Sequence, residues 1–257
     1  DLKKKIFNGD ILVFKNSRDI LDIIKLVEKK FLKKFDLKLS AFLNKKEINH
    51  SNSERLFIEL QEEVKTCKEI NDKFLSFLIK LGFREKNIFK DQYSLRYSPA
   101  IGEVPYGKLT PARLHRDTWG SNIFSQINFW FPIHNTSEFN SIYIVPSYFK
   151  KKIKNNSKNW SFEKYKKKKK YYSVPYTNQI INDKDKLYFS LKKGSIICFS
   201  GNHLHASLQN DDKRVNLETR IVYQDGNDNY VPLNIDSYSQ VVKKNWFVNS
   251  TTKLVLD

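Results

Sequence analysis

The chain has 257 residues, 40% of them hydrophobic and 14% aromatic, enough to bury a substantial core. No apolar run approaches the roughly 18 residues a membrane span needs, and the basic N-terminus lacks the apolar stretch of a signal peptide, so no membrane partner is expected. Cys67 and Cys198 are the only cysteines. They exclude a disulfide framework and fit a reducing compartment, which makes the cytoplasm the expected location. The formal charge of +18 rests on 38 lysines against eight arginines. Proteins that read nucleic acids lean on arginine for bidentate contacts, so this balance suggests compositional bias as much as a polyanionic partner.

In chain order, residues 10–15 read as a short strand, and Asn16 or Ser17 caps a helix with the apolar stripe Ile20, Ile23, Ile24, Val27, Phe31 and Phe35. After a polar break at 44–53, the residues Phe57, Leu60, Val64, Cys67, Ile70, Phe74, Phe77 and Leu81 predict one longer helix ended by Gly82. Both stripes suit helices that buttress a sheet. From about residue 92 the period changes to two. The run at 123–133 predicts the strongest strand, with Ile127, Phe129 and Phe131 on one face and Gln126, Asn128 and Trp130 on the other. Pro132 lies near its end.

Residues 149–172 carry eleven lysines between 150 and 170, five of them consecutive at 166–170. A solvated insertion is the expectation and a phosphate- or nucleic-acid-binding arm the alternative. Short strands are predicted at 187–191, 195–200, 203–208 and 215–223. Strands so spaced after two helices indicate a mainly β fold with flanking α-helices, a sandwich or jelly-roll barrel. One domain is expected over 1–257: a helical flank (1–90), a core (91–230) holding the lysine-rich insertion, and a C-terminal extension (231–257).

The chemistry gathers at His115-Arg116-Asp117-Thr118-Trp119. On an extended backbone residues i and i+2 share a side, so His115 and Asp117 can offer a nitrogen and an oxygen to one metal ion. Of the other histidines, His50 and His134 occupy surface-like positions, which leaves His203 and His205. Two histidines and one carboxylate make the facial triad of non-haem Fe(II) oxygenases, which leaves open positions for a 2-oxo acid and O₂. Such an enzyme needs a cation for the far carboxylate of the 2-oxo acid. Arg214 and Arg220, six apart on one strand face, are the candidates. Zinc hydrolysis would use the same ligands, but no acidic general base accompanies them in the sequence.

The stretches 115–119, 125–132 and 146–149, with 194–200, 204–207 and 214–220 following in the same order, resemble the iron(II)/2-oxoglutarate-dependent oxygenases of the streptomycin-biosynthesis type. These are relatives of phytanoyl-CoA dioxygenase. The resemblance covers roughly residues 93–223. It implies a double-stranded β-helix (jelly-roll, cupin-like), Fe(II) held by His115, Asp117 and His205, and 2-oxoglutarate held by an arginine. Arg214 fits the family's Arg-x-Ser position with Asn216 in place of serine, and Arg220 is the alternative anchor.

Polar side chains of the Gln126/Asn128 face would assist, Trp119 and Trp130 would line the pocket, and His203 would lie behind or beside the ligands. The implied reaction is hydroxylation or related C–H oxidation of a small polar metabolite, such as a sugar or natural-product intermediate, with release of succinate and CO₂. Two rivals stand beside this reading. The pattern Arg214-x-Asn216-x-x-x-Arg220 also resembles the end motif of oxygenases that demethylate alkylated nucleic acid, and a non-enzymatic jelly-roll binding protein is the third.

Overall fold

Period-two patterning from residue 94 onward builds the sheets at the centre of the molecule, and the helical stripes cover one of them. The computed structural model describes residues 1–45, 50–103, 112–167, 172–226 and 230–256. In chain order the elements are α1 (Leu2–Phe7), β1 (Leu12–Phe14), α2 (Arg18–Phe35), α3 (Leu39–Asn44), α4 (His50–Lys65), α5 (Lys68–Lys80), β2 (Ile88–Lys90) and β3 (Ser94–Ser98). There follow α6 (Thr118–Ser121), β4 (Gln126–Pro132), β5 (Ile142–Ile144), α7 (Phe162–Lys167), β6 (Leu187–Tyr188), β7 (Ile196–Ser200), β8 (His205–Ser207), β9 (Arg214–Tyr223) and β10 (Val248–Asn249).

A seven-stranded antiparallel sheet runs β1-β7-β4-β9-β2-β10, with β3 also paired to β9. A smaller sheet runs β6-β5-β8. The long strand β4 is central: Asn128 stands opposite Arg220 of β9 and Phe199 of β7. Its two faces divide as the alternation predicts. Ile127, Phe129 and Phe131 join the helices in the largest apolar cluster. Trp130 packs instead with Phe199, Ile142 and Ile144 between the two sheets.

Ser17 caps α2 by accepting from the Ile20 amide, and buried Asp19 takes Lys80 at 2.6 Å to tie α2 to α5. The single long helix expected over 54–81 is two helices. The chain breaks at Thr66, whose hydroxyl turns back to the Glu62 carbonyl, and restarts from an extended Cys67. Such side-chain competition for backbone carbonyls loosens a helix, and the break lets both halves keep their apolar faces on the sheet. Gly82, at φ +93°, ends α5 with Phe83 N donating to Leu78 O and Gly82 N to Ile79 O, a Schellman closure.

Strands β1, β2 and β10 come from outside 91–230 and complete the large sheet. β1 falls within the short strand read at 10–15, whereas β2 and β10, three and two residues long, are too short for an alternation to declare itself. Most of the glycine- and proline-containing loop at 102–111, the last three lysines of the run at 166–170, and the side chain of His50 lie outside the described residues. Among the described residues no helix is long and apolar enough to cross a membrane.

Candidate metal centre

His115 and His205 face each other as an isolated antiparallel bridge, the amide of each donating to the other's carbonyl at 2.9 Å. That reciprocal pairing brings two residues 90 apart in sequence to one point. Their ring centroids are 4.2 Å apart. Each Nδ1 lies against a backbone carbonyl, of Arg113 at 2.6 Å and of His203 at 2.9 Å. A carbonyl only accepts, so both Nδ1 atoms donate and both Nε2 lone pairs are left free.

Asp117 completes the group. Its oxygens lie 3.6 Å from His115 Nε2 and 3.7 Å from His205 Nε2, and the three ligand atoms fall within 4.8 Å of one another. Asp117 is not on extended backbone. It heads the short helix α6 with αR dihedrals, and this turn swings its carboxylate back towards the imidazoles.

Gln126 Nε2 donates to Asn128 Oδ1 at 2.8 Å, and Asn128 Nδ2 donates to Asp117 Oδ2. The polar face of β4 therefore orients the carboxylate, through a relay anchored in the strand. Arg220 Nη1 stands 3.7 Å from Asp117 Oδ1 while its Nε and Nη2 engage Asp91. Burial would raise the Asp117 pKa, but the His115 and His205 rings and the Arg220 guanidinium beside it hold it far below the usual carboxylate range. Burial drives the His205 pKa down to about 3. A neutral imidazole beside an ionised carboxylate is the protonation state a divalent metal requires.

The two arginines have different surroundings. For Arg220 burial opposes the charge, but Asp91 and Asp117 outweigh it and the pKa rises. Arg214 is buried and, among the described residues, donates to neutral groups, the Ser141 and Leu208 carbonyls and the Asn216 side chain. Burial lowers its pKa to about 10. Around it, Ser98 Oγ, Ser141 Oγ, Asn216 Nδ2 and Arg96 Nη1 are buried without a hydrogen-bond partner among the described residues. The Trp130 ring lies 5.7 Å from the Arg214 guanidinium.

A cavity of about 1180 Å³ is lined by the triad, Asn128, Trp130, Phe199, Arg96 and Arg220, while Arg214 lies behind this lining. The lysine-rich insertion, expected as a solvated arm, contributes Trp160, Phe162 and Tyr165 to the cavity wall. Trp246 of the C-terminal extension meets Phe162 edge-on at 5.1 Å and Arg220 at 5.0 Å. The lysines masked the aromatic spacing of this insertion in the sequence.

Two expected pocket residues face elsewhere. Trp119 is fully buried with Leu114, Val145 and Leu204 and donates its indole N–H to Asp236 at 2.7 Å. His203 lies against Phe149 and the Gly9 carbonyl, holding the N-terminal turn to the β7–β8 loop. Arg116, between the ligands, donates to the carbonyls of Asn202, Tyr148 and Lys151 and lies 3.3 Å from Asp236. It clasps the ligand-bearing loops together. An arginine flanked by two metal ligands was the only sequence signal for that role.

No protein-family model matches the sequence, and no curated protein sequence matches it significantly. The fold has solved counterparts. EvdO2 from Micromonospora carbonacea var. aurantiaca, in complex with 2-oxoglutarate, superposes with a TM-score of 0.53 at 8% identity over 87% of this chain and 90% of that one. A second structure of EvdO2 gives the same score and identity over 86% of this chain and 90% of that one. This chain has the double-stranded β-helix fold. Its large sheet is β1-β7-β4-β9-β2-β10 with β3, its small sheet is β6-β5-β8, and the candidate metal-binding group lies where β8 meets the strand-like turn at His115.

Proposed function

We propose that this protein is a non-haem Fe(II)- and 2-oxoglutarate-dependent oxygenase acting on a small polar molecule, of the class of sugars and natural-product intermediates. The observation that carries the proposal is the convergence of His115 Nε2, His205 Nε2 and an Asp117 oxygen within 4.8 Å of one another, with each imidazole Nδ1 held by a backbone carbonyl. Two imidazoles and one carboxylate with open positions form the donor set of that enzyme class. The likeness in fold to a protein complexed with 2-oxoglutarate supports the same reading. Bound Fe(II) supplies O₂ activation coupled to the decarboxylation of 2-oxoglutarate to succinate and CO₂.

The chain's own residues supply geometry. The His115–His205 bridge fixes both rings, and the Nδ1–H bonds to Arg113 and His203 lock their tautomers. Gln126 and Asn128 hold the rotation of Asp117. Arg214 is the anchor for the distal carboxylate of 2-oxoglutarate, because among the described residues its charge meets neutral acceptors and its neighbours include four unpartnered polar atoms. Arg220 is already committed to Asp91 and Asp117. Trp160, Phe162 and Trp246 line the cavity, and a concave cavity with aromatic walls suits a small molecule.

Anaerobic addition of Fe(II) and 2-oxoglutarate should produce a weak visible charge-transfer band. His115→Ala should abolish it, and a band retained in that variant refutes the assignment. Slow conversion of 2-oxoglutarate to succinate without substrate separates an enzyme from a jelly-roll binding protein.

A further inference from the structure

The segment 231–236 is built inside out. Its polar residues are buried: Asn234 is 2% exposed and hydrogen-bonds Asn202 and the Lys151 carbonyl. Asp236, 1% exposed, takes Trp119, the Ile153 amide and Arg116. Its apolar residues point outward. Val231 is 61% exposed, Leu233 85% and Ile235 44%. Single exposed aliphatics are ordinary, but three at alternate positions make a row.

The neighbouring segment gives that row its chemistry. Asn234 contacts Lys151, while Asp236 contacts Ile153 and Asn155, so 231–236 runs alongside 151–155 in the same direction. Ile153 is buried, and the flanking Lys152 and Lys154 are exposed, with Lys150 and Lys158 exposed further along. None of these four lysines forms an ion pair among the described residues, and Asp236, the one acidic residue of the strap, is turned inward. An apolar row beside a row of unpaired lysines is amphiphilic. Nucleic acid would use the lysines but leave the aliphatic row in water. A second copy of a chain with net charge +18 would bring two lysine rows together.

We propose that the strap 231–236 and the adjoining lysine row form a peripheral docking surface for anionic lipid headgroups. Leu233, Ile235 and Val231 enter the interfacial region, and Lys152 and Lys154 meet the headgroup phosphates. No spanning helix is required, and association is weak, reversible and salt-sensitive. It departs from the expectation that this chain has no membrane partner. It stands whatever reaction the metal centre performs.

The protein is tested by co-sedimentation with vesicles of phosphatidylcholine alone and of phosphatidylcholine with about one-third phosphatidylglycerol, a composition rich enough to attract a basic patch. Enrichment on the anionic vesicles is expected. Leu233→Ser with Ile235→Ser, and separately Lys152→Glu with Lys154→Glu, should each weaken binding about tenfold or more. Lys29→Glu with Lys33→Glu, an equal change of charge on exposed positions of α2, should leave it within about twofold.

Circular dichroism melting confirms that each variant is folded. Four results overturn the proposal: no enrichment of the parent protein on anionic vesicles, equal loss in the α2 control, or indifference to the serine pair with retained lysine dependence on single-stranded nucleic acid. The fourth is a shift from dimer to monomer on gel filtration caused by the serine pair without change in vesicle binding.

Discussion

The two faces of β4 are made by alternate residues of one strand, yet they answer to different physics. On the helix side Ile127, Phe129 and Phe131 are 0–1% exposed and meet only carbon. Phe129 lies edge-on to Phe74 at 5.3 Å. On the other side Gln126, Asn128 and Trp130 are as deeply buried, but they form a polar relay to Asp117 and a floor beneath Arg214. Burial alone does not distinguish the faces. What distinguishes them is the number of unpaired polar atoms: among the described residues the apolar cluster on the first leaves the Tyr93 hydroxyl, while around the second Gln126 Oε1, Asn216 Nδ2, Ser98 Oγ and Arg96 Nη1 lack partners. Unpartnered buried polar atoms cost stability, and a fold keeps them where a ligand completes them.

Removing a large side chain from the helix side should give the largest effect on folding. Phe129→Ala is expected to destabilise the chain by about 3–5 kcal/mol in urea unfolding. The Fe(II) affinity of the protein that remains folded should stay within a few-fold. A comparable loss of metal affinity would show that the two faces are not separable.

Substitutions on the inner face should do the reverse. Arg214→Gln is expected to raise the half-saturating 2-oxoglutarate concentration by about thirtyfold or more, the effect of truncating a buried charge partner. Arg220→Gln should instead weaken Fe(II) binding through Asp117. If Arg220→Gln gives the larger change for 2-oxoglutarate, the anchor is misassigned.

Asn128→Ala cuts the relay that holds Asp117. Outer partners of metal ligands are worth about 10–100-fold in metal affinity, so calorimetric titration with Fe(II) or a surrogate divalent ion should show a loss in that range. An unchanged affinity would mean that α6 alone positions the carboxylate.

The smallest effect sharpens the comparison at the rim of the helix side. Lys90 is half-buried over the Tyr93 ring at 4.0 Å, and burial pushes its pKa down to about 8. The unfolded chain holds that proton until about pH 10.4. Between the two values the unfolded state binds more protons, so this group's contribution to stability rises with pH across that window and is at its least favourable below pH 8. Lys90→Met should therefore stabilise the protein at pH 7, by on the order of 1 kcal/mol given the partial exposure. It should also flatten the slope of stability between pH 8 and 10. A steeper slope in the variant would contradict the sign.

Local pattern determined a good deal of this protein. The periods of 3.6 and 2 placed α2, the apolar positions of α4 and α5, and both faces of β4, because side-chain direction follows from backbone geometry alone. His115 and Asp117 were legible as neighbouring metal-binding side chains, although the turn into α6, and not an extended backbone, brings the Asp117 carboxylate to the imidazoles. Tertiary structure decided the rest. Spacing did not separate His203 from His205; the family resemblance pointed to His205, and a backbone bridge between residues 90 apart in sequence supplies the physical reason, while which arginine is uncompensated depends on Asp91, more than 120 residues before either. The roof over the cavity was hidden in a lysine-rich stretch, since composition reports how a segment meets water and says nothing of which aromatics it turns inward. The same holds for 231–236, where outward aliphatics and inward carboxamide and carboxylate invert the usual pattern. Only the contacts of Asn234 and Asp236 with Asn202, Arg116 and Trp119 explain that inversion, because buried hydrogen bonds to distant residues outweigh the hydrophobic preference of a short strap.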